Sequence, residues 1–165
     1  MNRDRLLYAA PALACAALLG YGYYLQYFDN QDPCPLCLVQ RGFYYGILLV
    51  FAVAALHFPG KTGRRIYCAA ATVLALGGLG IAARQVWLQH LPPDQVPACG
   101  PDLFFMMENF SLGRMLEKLF TGSGQCAEVT WRFLGLSIAE WSLACFVALA
   151  LYALWFGLVP GRRQR

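Results

Sequence analysis

The stretch "DPCPLCLVQRGFYYG", Asp32 to Gly46, holds two cysteines three residues apart, the first of them between two prolines, then one arginine, and then runs into apolar sequence. Proline fixes its own φ and has no N–H to leave unpaired, so Pro35 suits the first position of a helix. The stretch therefore reads as the start of a helix, with Cys34 at or near its cap and Cys37 in its first turn. Where that helix goes decides the fold.

Composition sends it into a bilayer. Of 165 residues, 59% are hydrophobic and only 13% are charged, against about 25% charged in an ordinary soluble domain. Crossing a hydrocarbon layer of about 30 Å takes about 17–25 helical residues with few charges. Four runs qualify: Leu6–Phe28, Gly42–Phe58, Ile66–Ala83 and Trp141–Val159, the third continuing as an amphipathic turn through Arg84 to Leu91. The first run is read as a retained anchor, because a cleaved secretory signal has an apolar core of about 7–15 residues. This one continues past Cys15 through "ALLGYGYYLQYF" and ends in aromatics suited to an interface. The expected fold is an all-α integral membrane protein, one membrane domain over 1–165. Its four transmembrane helices would span about 6–28, 42–58, 66–89 and 140–159.

Lysines and arginines in the short connections set the orientation. Arg3 and Arg5 precede the first run, "PGKTGRR" supplies Lys61, Arg64 and Arg65, and "GRRQR" supplies Arg162, Arg163 and Arg165. The positive-inside rule puts these on the cytoplasmic side with both termini. A short first loop, about 29–41, and a long second loop, about 90–138, then face outward. The net charge of +4 is thus a topology signal; no basic patch interleaved with aromatics stands on a soluble face, so nucleic acid is not an expected partner.

Seven cysteines divide on this map. Cys15, Cys68 and Cys145 lie within apolar spans and read as small core residues. Cys34, Cys37, Cys99 and Cys126 lie in the outward loops, which in a bacterium meet the oxidising periplasm, where disulfides persist. Four cysteines allow three pairings; adjacency favours Cys34 with Cys37, leaving Cys99 with Cys126. The second pair suits a structural staple, since it closes a long loop. The first does not, because linking residues three apart removes little chain entropy; its spacing is that of a dithiol redox centre. Zinc is disfavoured by the wide second spacing, the lack of a supporting histidine and the oxidising compartment. Attached haem is excluded because Leu38, not histidine, follows Cys37.

A helix start also favours a thiolate on Cys37, through backbone N–H groups and the helix dipole, and Arg41 stands four residues on, on the same face. A protein that creates disulfides must dispose of two electrons per bond, and the chain has no dinucleotide fingerprint or iron–sulfur cysteine run. The glycines of "LGGLG" lie mid-span, where close helix packing accounts for them. A lipid-soluble quinone could reach Cys37 from the bilayer, with Arg41 and the third span's Arg84, Gln85 and Gln89 as candidate polar donors. In the long loop, "SLGRMLEKLF" places Leu112, Met115, Leu116, Leu119 and Phe120 on one helical face, predicting a short interfacial helix. Its flanks, "ACGPD" and "TGSGQC", are turn-forming and would let Cys99 and Cys126 move.

Together "CPLCLVQR", the distant cysteine pair, "RQVWLQ" and "CAEVTWRFLGLSIAEW" before the last span resemble the disulfide bond formation protein B family across nearly the whole chain. The resemblance implies an inner-membrane enzyme that reoxidises a soluble periplasmic thiol-disulfide oxidase, DsbA-like, and reduces ubiquinone, or menaquinone without oxygen. By position, Cys99 would receive the partner's thiolate, released Cys126 would attack Cys34, and Cys37 would emerge as the thiolate facing the quinone. Arg41 would line the quinone site, with Arg84 a weaker candidate. Two alternatives have other origins: a four-span scaffold similar to tetraspanins, pinned by structural disulfides, and an enzyme similar to vitamin K epoxide reductase. The first family's large loop usually carries Cys-Cys-Gly where this chain has "ACGPD"; the second places its active pair near the last spans.

Overall fold

Each long apolar run becomes one helix in the computed structural model, which describes residues 3–30, 33–57, 59–96, 108–109, 111, 113–114, 124–129 and 131–158. These are α1 (Arg3–Phe28), α2 (Pro35–His57) and α3 (Lys61–Gln89), then a single 3-10 turn at Pro93–Gln95, a one-turn α4 (Gly124–Ala127), the strands β1 (Arg132–Phe133) and β2 (Leu136–Ser137), and α5 (Ile138–Leu158). Four of the helices, α1, α2, α3 and α5, are long and apolar enough to cross a membrane. Most of the stretch expected to form the interfacial helix, including Leu112, Met115, Leu116, Leu119 and Phe120, lies outside the described residues.

Two helices begin earlier than the uncharged runs. α2 starts at Pro35 rather than near 42, because Arg41, which interrupts the apolar run, is accommodated by partners on α1 (below). α3 starts at Lys61 rather than 66, so Lys61, Arg64 and Arg65 occupy its first turns. Cations at a helix N-terminus oppose the macrodipole. Their place there follows from the topology they specify, and Arg64 offsets part of the cost by resting over the Phe156 ring at 5.5 Å.

The bundle is ordered by small residues. α3 packs most extensively on α5 and also on α2, while α2 packs on α1. α1 returns to α5 at one end of the bundle, where the Tyr152 hydroxyl donates to the Leu7 carbonyl at 2.7 Å and Tyr8 meets Phe156 edge-on at 4.9 Å. Gly77 and Gly78 let neighbouring aromatics approach the α3 backbone: a methyl group at Gly77 would overlap Phe43, and one at Gly78 would overlap the Phe146 ring. Phe146 is itself fully buried and stacked on Tyr44 at 4.3 Å. Leu13, Leu49, Val73 and Leu151 point outward with 59% or more of their surface exposed, the arrangement of a bundle solvated by lipid, where small residues rather than large ones mediate helix contact.

The bundle end that carries the first and the long loop is finished by local motifs. Asn30, with φ of 50°, turns the chain out of α1 in the left-handed region that asparagine tolerates. β1 and β2 pair antiparallel, Arg132 with Ser137 and Phe133 with Leu136, across a two-residue turn whose Leu134 and Gly135 both have positive φ, 52° and 82°, the backbone of a tight hairpin. Ser137 then caps α5 reciprocally: its N–H donates to Glu140 Oε2 at 2.7 Å, and the Glu140 N–H donates to Ser137 Oγ at 3.3 Å.

Because Phe146 has no room to yield to a large side chain, Gly78→Leu is expected to destabilise the bundle by about 1–3 kcal/mol. Gly20→Ala, where nothing lies within 4 Å of the added methyl, is expected to leave stability unchanged. Thermal unfolding in detergent micelles compares the two.

Candidate redox site

The site is built at the start of α2. Cys34 is the cap residue: its carbonyl accepts the Leu38 N–H at 3.1 Å, and its sulfur accepts the Cys37 N–H at 3.4 Å. A side chain that accepts from the third helical N–H is what a helix start requires. Pro35 follows at the first helical position. This geometry draws the two sulfurs together. The Cys34 thiol donates to Cys37 Sγ at 3.0 Å, and both residues carry free thiols in this structure.

A third sulfur joins them from the long loop. α4 brings Cys126 into a small apolar cluster with Cys34, Leu36 and Leu88, and Cys126 hydrogen-bonds Cys34. Cys126 is 1% exposed and Cys34 8%, whereas Cys37 is half-buried. Cys34 is thus the middle sulfur, in contact with Cys37 on one side and Cys126 on the other. Cys99 lies outside the described residues, so its expected disulfide with Cys126 does as well.

α3 contributes the polar wall. Gln85, 4% exposed, directs its amide Nε2 at both sulfurs, 3.2 Å from Cys37 and 3.4 Å from Cys34. Gln40, equally buried, donates its own Nε2 to Gln85 Oε1 at 2.7 Å. Gln85 was legible as a polar group at the right depth, but as a donor to an incoming carbonyl rather than to sulfur. Gln40 was missed, although a signal existed: it stands three residues after Cys37, on the same helical face, in a span where polar side chains are costly. Gln89, the other candidate, instead accepts from Ser137 Oγ at 2.7 Å and so ties α3 to the cap of α5.

Arg41 is turned away from the sulfurs. One N–H group donates to Gln26 Oε1 at 2.6 Å, another to the Gly22 carbonyl at 3.0 Å, and the guanidinium rests on the Tyr23 ring at 4.7 Å. All three partners are on α1. The helical spacing put Arg41 on the face of Cys37 correctly, but its long side chain reaches on to the carbonyl, amide and ring that α1 offers. Arg84 lies over the Trp87 indole at 4.2 Å. Cys15 and Cys68 are buried in the main apolar cluster, with Cys145 packed against it, as expected of core residues.

The residues present fit a quinone. Cys37 is half-buried at the outer end of a membrane helix, Arg41 sits one turn deeper with only two N–H groups engaged in the contacts above, and a guanidinium carries further donors for a carbonyl oxygen. Arg84 on its indole adds a cation and a flat apolar surface near Gln85.

A four-span membrane protein with three convergent sulfurs at one end is the architecture of a thiol-disulfide oxidoreductase rather than of a scaffold. Comparison with known proteins agrees. The family model described as disulfide bond formation protein DsbB matches residues 4–156. The disulfide bond formation protein B of Hahella chejuensis is 48% identical over 152 residues, covering 92% of this chain and 91% of that protein. That of Nitrosococcus oceani is 50% identical over 141 residues, 86% of this chain and 83% of the other. That of Chromobacterium violaceum is 44% identical over 167 residues, 99% and 96% respectively. The chain belongs to the DsbB family of disulfide bond formation proteins, and is a multi-pass membrane protein with a disulfide oxidoreductase role. The scaffold and vitamin K epoxide reductase readings give way to that membership.

The Cys34 thiol is held above the ordinary cysteine range, chiefly by its hydrogen bond with Cys126, then by that with Cys37, with burial adding to both. A raised thiol keeps its proton in the folded state. The stability this contributes is complete below the ordinary thiol pKa of about 8.5 and is lost as pH rises above it. In the reduced protein at about pH 9, where an unperturbed cysteine is largely ionised, Cys34 is therefore expected to alkylate at least about tenfold more slowly than in the denatured chain. Cys126→Ala should narrow that gap. Peptide mapping after timed alkylation provides the measurement.

Proposed function

We propose that the protein is an inner-membrane protein-disulfide:quinone oxidoreductase with both termini cytoplasmic and its cysteine loops periplasmic. It reoxidises a soluble periplasmic thiol-disulfide oxidase, DsbA-like, and delivers the electrons to ubiquinone, or to menaquinone without oxygen. The observation that carries this reading is the position of Cys34, in contact with both Cys37 and Cys126.

In the proposed sequence the partner's thiolate attacks Cys99, a partner–Cys99 bond forms, the Cys99–Cys126 bond breaks, and Cys126 leaves as a thiolate. Cys126 attacks Cys34; the Cys34–Cys126 bond forms, the Cys34–Cys37 bond breaks, and the electron pair passes to Cys37. The partner's second thiolate then displaces Cys99, which in turn displaces Cys34 from Cys126. Both partner and long-loop pair are now disulfides, and Cys34 and Cys37 hold the two electrons as a dithiol. The Cys34–Cys37 dithiol would re-form its disulfide by giving two electrons and two protons to a quinone, which would supply the sink. Arg41 and Arg84 are the residues proposed to hold its carbonyl and ring.

Burial supports the order of these steps. Cys126 and Cys34 are closed to a soluble protein, at 1% and 8% exposure, so a partner needs an entry cysteine elsewhere in the long loop, the role assigned to Cys99.

Purified protein with quinone and a reduced periplasmic dithiol oxidase tests the cycle. Cys37→Ser is expected to abolish quinone reduction, and a wild-type rate would overturn the mechanism. Cys126→Ala is expected to accumulate a mixed disulfide through Cys99; capture of the partner through Cys34 would reverse the order of transfer. In the same assay Arg41→Ala is expected to raise the apparent KM for quinone by about tenfold or more, as for loss of one charge-assisted hydrogen bond. An unchanged KM would leave Arg41 as a strut between α1 and α2.

A further inference from the structure

Thiol-disulfide exchange depends on the leaving sulfur: the better its negative charge is received, the faster and further the exchange proceeds. At the start of α2 that charge would emerge in a partly apolar pocket, where an uncompensated anion is costly and a well-aimed donor counts for more than in water. The cation expected to receive it, Arg41, has its described donors on α1. Among the described residues, N–H donors reach sulfur from the backbone of Cys37, bound to Cys34, and from the side-chain amide of Gln85, beside the Cys34 thiol itself.

An amide presents either a donor or an acceptor, and its orientation decides which. Gln85 offers both to Cys37, Nε2 at 3.2 Å and Oε1 at 3.6 Å. Gln40 breaks the tie. By donating to Gln85 Oε1 at 2.7 Å it fixes which way the amide is turned, so that Nε2 faces the sulfurs. Both amides are 4% exposed, so water offers Gln40 little competition for that bond.

We propose that Gln40 and Gln85 form a positioning relay that receives the negative charge released on Cys37 when Cys126 attacks Cys34. In that step the Cys34–Cys126 bond forms, the Cys34–Cys37 bond breaks, and the electron pair of the broken bond stays on Cys37, beside Gln85 Nε2. Because the same Nε2 lies 3.4 Å from Cys34, the donor serves the pair without moving. Among the described residues, the titratable and charged groups around Cys37 are Cys34 from the cap of α2, Cys126 from α4, and Arg41 on its own helix with its guanidinium on α1; Arg84 on α3 lies over Trp87. Gln85 is thus a neutral donor among sulfurs.

This inference deepens the proposed cycle and rests on its internal exchange step, but not on the quinone or the soluble partner, and its test uses neither. In quinone-free Cys99→Ala protein carrying one disulfide, the bond is free to move between Cys34–Cys37 and Cys34–Cys126. Mass spectrometry after acid quench reads the ratio. Gln85→Met, which keeps length and removes the donor, is expected to lower the Cys34–Cys126 share by about tenfold or more. Gln85→Glu, which presents an acceptor, should lower it further. Gln40→Leu is expected to move it in the same direction by a smaller factor. The alkylation rate of Cys37 in the fully reduced protein should fall with Gln85→Met at pH 7 yet match the parent at about pH 10, where an ordinary thiol is ionised without help from a donor; a merely structural defect would not show that pH profile. An unchanged ratio in both Gln85 variants overturns the relay, and a shift with Gln85→Met but none with Gln40→Leu removes Gln40 from it. Absence of any Cys34–Cys126 bond in the parent would instead count against the exchange step of the cycle.

Discussion

A helix that starts at a membrane surface leaves its first N–H groups without intrahelical partners, and in α2 one of them is met by the sulfur of Cys34. The rest of the site depends on that cap. It fixes Cys34 against the helix end, brings Cys37 back over it, and sets Gln40 and Arg41 one turn further along. Had the cap been a serine, the helix would start equally well, but the reactive atom would be absent. In the proposed cycle structural capping and redox chemistry use the same atom, and the cap holds close two residues that, three apart, would be useless as a chain staple.

The second constraint is that a lipid-solvated bundle gains little from burying large apolar side chains against one another. Its helices approach through Gly77 and Gly78 and through alanines such as Ala71, Ala75 and Ala82, all but fully buried. Close approach in the middle of α3 then positions the outer turn of the same helix, where Gln85 and Leu88 face α2 and α4. Further out, Gln89 is bound to the Ser137 cap of α5. The donor aimed at the sulfurs is therefore carried by the helix with the most extensive packing in the bundle.

The fold was legible in the sequence because hydropathy acts over whole segments, and a chain that must satisfy its backbone inside lipid has few options. The closeness of Cys34 and Cys37 was legible as well, through their spacing at a helix start. Contacts made by long polar side chains were harder to read. Arg41 has the correct face but extends to Gln26, Gly22 and Tyr23, residues whose proximity depends on how α1 packs. Gln40 looks like any polar residue until Gln85 is seen opposite it, and that pairing joins residues 45 apart in the chain. Cys126 could be assigned to an outward loop, but nothing local indicates that α4 would bury it beside Leu36 and Leu88.

Exposure gives the three sulfurs different roles before any chemistry is considered. Cys126 and Cys34 are closed off, and only Cys37 retains an open side. A buried thiol bound to sulfur on both sides is a poor target for stray oxidants or small thiols, and it reacts when a neighbouring sulfur attacks. In the proposed cycle an electron acceptor would meet Cys37, the least buried of the three described sulfurs. In the proposed cycle the long loop therefore both delivers oxidising equivalents and closes the middle of the relay. In that cycle burial limits which sulfur can meet the partner and which the acceptor, while the difference in redox potential between them sets the direction of electron flow.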